Sequence, residues 1–171
     1  MLDPATTPRF PKNEMRYTFA PPSALDGAHG AALRAALDEL YAAYADAALS
    51  SNFHGCPHCF VPSDIAYLRA TPLRELTHGD LATIGWKLVT TLGSAADVSY
   101  FLPRLLEAIA ENAAVNEEVL ADRMLAIPTE HWAQRRIAAV RVVLQALLDD
   151  ACTRDDESRA ESIRTLQAAV P

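Results

Sequence analysis

Lysine is almost missing from this chain: Lys12 and Lys87 are the only two. The 15 basic residues, nearly all arginine, face 22 acidic ones, and the net charge is -7. A nucleic-acid surface needs clustered cations to release counterions from phosphates, so no nucleic-acid partner is expected. No run approaches the ~20 consecutive apolar residues of a membrane span, so no membrane partner is expected either. The opening stretch MLDPATTPRFPKNEMRY lacks the apolar segment of a secretory signal. Cysteine is scarce, three residues in all, and an odd number without framework spacing speaks against a disulfide scaffold. A reducing, cytoplasmic setting is the expectation. Apolar and polar residues nowhere alternate with period two for long enough to make a strand. A glycine-rich phosphate loop, a Gly-x-Ser-x-Gly elbow and a His-Glu-x-x-His pair are all absent.

What is present is helical periodicity. With 50% hydrophobic residues in 171, the chain can bury a sizeable core. Pro4, Pro8, Pro11, Pro21 and Pro22 prevent a continuous helix at the start, which sets off a Pro-rich tail over 1–22. Residues 23–171 are read as one all-α domain, a bundle of about seven helices. Over 28–49, Leu33, Leu37, Leu40, Tyr41, Tyr44 and Ala48 share a face. The run PSDIAYLRA reads as a short helix capped by Ser63 and stopped by Pro72. Thr77 and Asp80 open the next, with Gly93 at its C-terminal end, and Ser94 and Asp97 repeat the device. Pro103 should kink or split that helix. Asn116 caps a helix that Pro128 ends. Thr129 opens the longest, about 130–151, and a shorter one follows over about 157–169.

The stretch that carries chemistry is FHGCPHCFVPSD, residues 53–64. Cys56 and Cys59 with His58 between them suit two chemistries. Two thiolates from a tight turn are half of a tetrahedral zinc site, for which His54 and His78 are the candidate completing ligands, with His58, His29, His131 and Cys152 behind them. Alternatively a thiolate in Cys-x-x-Cys with lowered pKa is a nucleophile for disulfide exchange. Cys-Pro-His-Cys followed by an aromatic resembles the active site of periplasmic thiol-disulfide oxidases of the thioredoxin fold, but those place it after a buried strand, and a helix precedes it here. The plain reading is two reduced cysteines, half-buried in a loop. Cys152, near the end of an apolar helix, is expected in the core. A zinc deaminase is excluded because no histidine is followed by x-Glu. Glu75 and His78 match Glu-x-x-His, but Glu75 falls outside the helix that Thr77 opens, so no di-iron site is expected.

The pairs Glu107/Glu111 and Glu118/Asp122 read as solvated faces. Arg104 is expected to pair with Glu107 or to bond carbonyls freed at Pro103. Arg135, Arg136 and Arg141 form a basic patch offset by Asp149, Asp150, Asp155 and Asp156. Trp86 and Trp132 both flank apolar stripes and are expected mainly as core.

Cys56 and Cys59, Asp64, Pro72-Leu73 with Leu76, Asp80, and Phe101-Leu102-Pro103-Arg104 with Glu107 together form a pattern over 53–111, about a third of the chain. It is similar to a family of uncharacterised bacterial proteins of comparable size, with a Cys-containing loop and an aromatic followed by LPR-x-x-E. The resemblance implies a bacterial, intracellular, helical protein and no particular reaction. With no catalytic constellation evident, the first expectation is a domain that binds another protein, with a structural zinc or a Cys loop at 54–59. The alternative is a thiol-based redox enzyme or sensor using Cys56 and Cys59.

Overall fold

The computed structural model describes residues 23–171, so the tail expected over 1–22 lies outside the described residues. Seven α-helices follow one another: α1 Gly30–Ala43, α2 Pro62–Ala70, α3 His78–Lys87, α4 Ala95–Ala110, α5 Glu117–Leu125, α6 Gln134–Thr153 and α7 Glu157–Ala168. Short 3-10 turns at Ala24–Asp26, Leu73–Glu75 and Thr129–His131 join them, and no strand occurs among the described residues. None of the described helices is long and apolar enough to cross a membrane.

The helix starts are written in local chemistry. Thr77 accepts from the Asp80 N–H while Asp80 accepts from the Thr77 N–H, closing a capping box at α3. Asn116 accepts from Val119 N–H at α5, and Asp156 from Arg159 N–H at α7. At α2 the cap is not Ser63. Pro62 takes the first helical position, where a fixed φ and a missing N–H cost nothing, and Asp64 accepts from the Val61 N–H at 2.9 Å.

Three helix ends differ from expectation. Helix α1 stops at Ala43 rather than near residue 49, because the Arg136 guanidinium takes the Ala43 carbonyl. Helix α3 stops at Lys87, whose carbonyl accepts from the N–H groups of Thr90, Thr91 and Leu92 and closes a turn. Val89 and Gly93 in that turn have φ of 68° and 60°. The longest helix starts at Gln134, after the 3-10 turn at Thr129–His131. Pro103 does not break its helix: α4 runs unbroken from Ala95 to Ala110, enclosed on nearly all sides.

One hydrophobic cluster runs through the domain. Helix α1 packs on α6, α6 on α7, and α7 on α5, while α4 packs against α3, α1 and α5. Phe101, Leu102, Leu105 and Leu106 of α4 are fully buried at its centre. Beside them lies Arg104, 6% exposed. Its Nη1 donates to Glu107 at 3.0 Å and Glu111 at 2.8 Å, and its Nη2 to the Leu76 carbonyl. That carbonyl belongs to the segment before α3, not to a break at Pro103. Tyr41 donates to Glu107 at 2.6 Å, and His78 Nε2 meets Glu111 at 2.8 Å. Glu107 and Glu111 are therefore not a solvated face but the hub that ties α1, α3 and α4 together.

Candidate functional site

The Cys56–Cys59 loop is clamped before it reaches its cysteines. Phe53 and Phe60 are buried at its two ends. A Cβ on Gly55 would sit 2.6 Å from the Phe60 ring, so only glycine lets that ring close over the chain. The stretch from His54 to Cys56 pairs with the turn after α3: Cys56 N–H donates to Thr91 O, and Gly93 N–H to His54 O, both at 2.7 Å. Arg69 of α2 donates through Nη2 to the carbonyls of Ser50, Ser51 and Phe53. Its guanidinium lies 5.6 Å from the centre of the Phe53 ring. Asp97 of α4 accepts from the Ser50 N–H and hydroxyl and from the Ser94 N–H and hydroxyl. Burial alone would push the Asp97 carboxyl up, but these four donors outweigh it and hold it below the usual range.

On this base the Cys56 carbonyl accepts from both Cys59 N–H and Phe60 N–H at 2.9 Å, folding the Cys-Pro-His-Cys segment into a tight turn. All three cysteines are free thiols; Cys56 is half-buried, and Cys59 and Cys152 are exposed. His58 Nδ1 lies 3.8 Å from Cys56 Sγ. The Cys56 thiol is pulled below its ordinary pKa, chiefly by the backbone N–H of His58. The His58 ring and the Cys59 thiol, both in hydrogen-bonding reach, lower it further against the opposing effect of burial. The arrangement offers one activated sulfur, a second sulfur beside it, and solvent access to both.

The candidate metal ligands do not gather around this pair. His54 turns its Nδ1 to the Asn52 carbonyl at 2.6 Å, and His78 is engaged with Glu111. His29 pairs with Thr153. No group of three or more His, Cys, Asp or Glu is arranged to hold a metal ion among the described residues. Glu75 lies in the 3-10 turn before α3, off the helix that carries His78.

Other expectations need correction. Cys152 is exposed rather than core: it lies in the last turn of α6, where its neighbour Ala151 is the buried residue. Trp132 is buried, but Trp86 is 55% exposed. Arg135 and Arg136 both pair with Asp46 at the end of α1, not with the aspartates near 150; Asp150 pairs with Arg154. Arg69 and Asp97 anchor the cysteine loop across 16 and 47 positions of sequence, and no local pattern announced those partners.

Comparison with known proteins adds no relative: no family model, no curated protein and no solved structure matches the chain.

Proposed function

We propose that the chain is a dithiol redox module whose Cys56 and Cys59 exchange with external disulfides. The observation that carries this reading is the turn itself: two accessible thiols three positions apart, the first bonded by the N–H and ring of His58. The Cys56 thiolate attacks one sulfur of an incoming small-molecule or protein disulfide and expels a thiolate. Cys59 then gives up its proton and attacks the Cys56 sulfur of the mixed disulfide. The Cys56–Cys59 disulfide forms, the second thiolate leaves, and two electrons have passed to the incoming disulfide, whose thiolates take up the protons. His58 positions and favours the attacking thiolate.

The test is the rate of alkylation of each cysteine against pH, with intact mass before and after mild oxidation by glutathione disulfide. Cys56 should react with a midpoint below the ordinary thiol value of about 8.5. The oxidised chain should lose two hydrogens and regain them with a thiol reductant. In His58→Ala the Cys56 midpoint should move up toward the ordinary value while the fold stays intact. Ordinary midpoints at both cysteines and no internal disulfide would overturn the reading. About one zinc per chain, with both thiols shielded until denaturation, would replace it with a metal site.

Trp86 favours a second reading, that the domain docks a protein partner. An exposed tryptophan is the residue type most enriched at the energetic centres of interfaces. Trp86→Ala should then abolish capture of that partner without changing thiol chemistry.

A further inference from the structure

The extended stretch that leads into the cysteine turn has one edge unused. His54 O and Cys56 N–H both face the turn after α3, where they bond Gly93 N–H and Thr91 O. Gly55 lies between those two bonds, opposite Leu92. In an antiparallel pair a residue so placed turns its own N–H and C=O to the opposite edge. There neither group of Gly55 has a hydrogen-bond partner among the described residues, and the residue is only half-buried. A free donor and a free acceptor on one extended residue are what an added strand bonds to.

The neighbours of this edge decide what fits. Successive residues of an extended chain alternate between faces, so Phe53 and Gly55 share one face and His54 and Cys56 the other. The first face is core: Phe53 is buried, and the buried Phe60 ring lies against Gly55. The second face is open and carries the half-buried Cys56. The Phe53 carbonyl points to the same edge as the Gly55 N–H. It accepts from Arg69 Nη2 at 2.9 Å, which sets the guanidinium beside Gly55. Arg69 is exposed and has no carboxylate partner among the described residues, and its Nε and Nη1 make no hydrogen bond there. A ligand for this edge brings a backbone N–H, an acceptor for the Gly55 N–H and a negative charge for Arg69.

We infer that the dithiol turn recognises its disulfide substrate as a peptide ending in Cys-X-carboxylate, which adds as a short antiparallel strand to Gly55. The inference rests on the exchange reaction proposed above and names its substrate class. Residue X pairs with Gly55: its N–H donates to Gly55 O, and its terminal carboxylate accepts from the Gly55 N–H and from Arg69. This register sets the substrate cysteine opposite Cys56, on the same open face. Such a pair, lying between ladder bonds, has its Cα atoms about 4.5 Å apart, within the ~4.4–6.8 Å that a disulfide spans. The Cys56 thiolate attacks the cysteine sulfur of the bound half, a new S–S bond forms, and the other half leaves as a thiolate. The Cys59 thiolate then attacks the Cys56 sulfur, and the bound half leaves as the second thiolate.

The experiment is the rate at which four disulfides oxidise the full chain, read as the loss of two hydrogens from the proteolytic fragment that carries Cys56 and Cys59. Glutathione disulfide has both features. Its sarcosine analogue lacks the amide N–H after cysteine, its C-terminal amide lacks that carboxylate, and hydroxyethyl disulfide lacks both. Each rate is divided by the rate of the same disulfide with free dithiothreitol, which removes differences in intrinsic reactivity. Glutathione disulfide should lead each single analogue roughly fivefold, the worth of one hydrogen bond, and hydroxyethyl disulfide should be slowest. S-methylglutathione, which cannot exchange, should give saturable NMR shifts centred on the Gly55 amide and the Arg69 Nε–H. Equal normalised rates with all four, or no saturable shift at Gly55, would overturn the inference and leave the thiol reading standing. No oxidation by any of the four would overturn that reading, and this inference with it.

Discussion

Arg104 joins Glu107, Glu111 and the Leu76 carbonyl through one guanidinium. It is buried, and it neutralises two carboxylates that sit only partly in water. Taking one member from such a cluster leaves the others charged and without their counter-ion, which costs about 3 kcal/mol or more. Arg104→Met should lower the unfolding free energy at neutral pH by that order in urea titrations. The loss should also shrink in acid. Burial pushes the Glu111 carboxyl up, while the Arg104 and His78 bonds hold it below its usual range. Without Arg104 it rises, so mild acid neutralises in the variant the charge that Arg104 neutralises in the parent. If the deficit is the same at every pH, Arg104 acts by packing alone. At this scale the sequence was partly legible. The Arg104–Glu107 pair follows from helical spacing, but Tyr41, His78 and Leu76 come from elements that only the tertiary fold brings near.

At the scale of elements, the capping residues were readable because a cap acts over three positions. Thr77 with Asp80, Ser94 with Asp97, and Asn116 all start helices where composition says they should. Helix ends were less readable where a distant partner sets them. The end of α1 answers to Arg136, and the end of α3 to the turn that pairs with His54 and Cys56. Asp97 shows both kinds of information in one residue. It closes the start of α4 locally and also holds Ser50, the entry to the cysteine loop. Asp97→Asn should cost about 2 kcal/mol, since two charge-assisted bonds at each end become neutral or are lost. Its pH dependence has a definite sign. A carboxyl whose folded pKa lies below its unfolded value of about 3.9 contributes fully above that value, and the contribution disappears as pH falls through the folded value. The acid limb of the stability curve should therefore be shallower in Asp97→Asn than in the parent. Parallel acid limbs would remove Asp97 from this role.

For the whole molecule, the helical class was legible from period alone, and the chemistry was legible only as a choice. The sequence brings Cys56, His58 and Cys59 together in any fold, but their exposure and the engagement of His54 and His78 elsewhere depend on the assembled core. The molecule also carries a third thiol, Cys152 on α6, which is exposed and lies outside that turn. Under mild oxidation, disulfide-linked dimers should form through Cys152. Cys152→Ser should abolish them on non-reducing gels, and a Cys56→Ser/Cys59→Ser chain should keep them. Dimers that persist in Cys152→Ser would mean that the turn exposes its sulfurs to other chains as readily as to each other. The two bonds onto the Cys56 carbonyl argue the other way, because they hold the two sulfurs at a local concentration that no second chain in dilute solution matches. Closure of the pair should accordingly be first order in protein: diluting the sample a hundredfold would slow the Cys152 cross-link and leave the Cys56–Cys59 bond forming at the same rate.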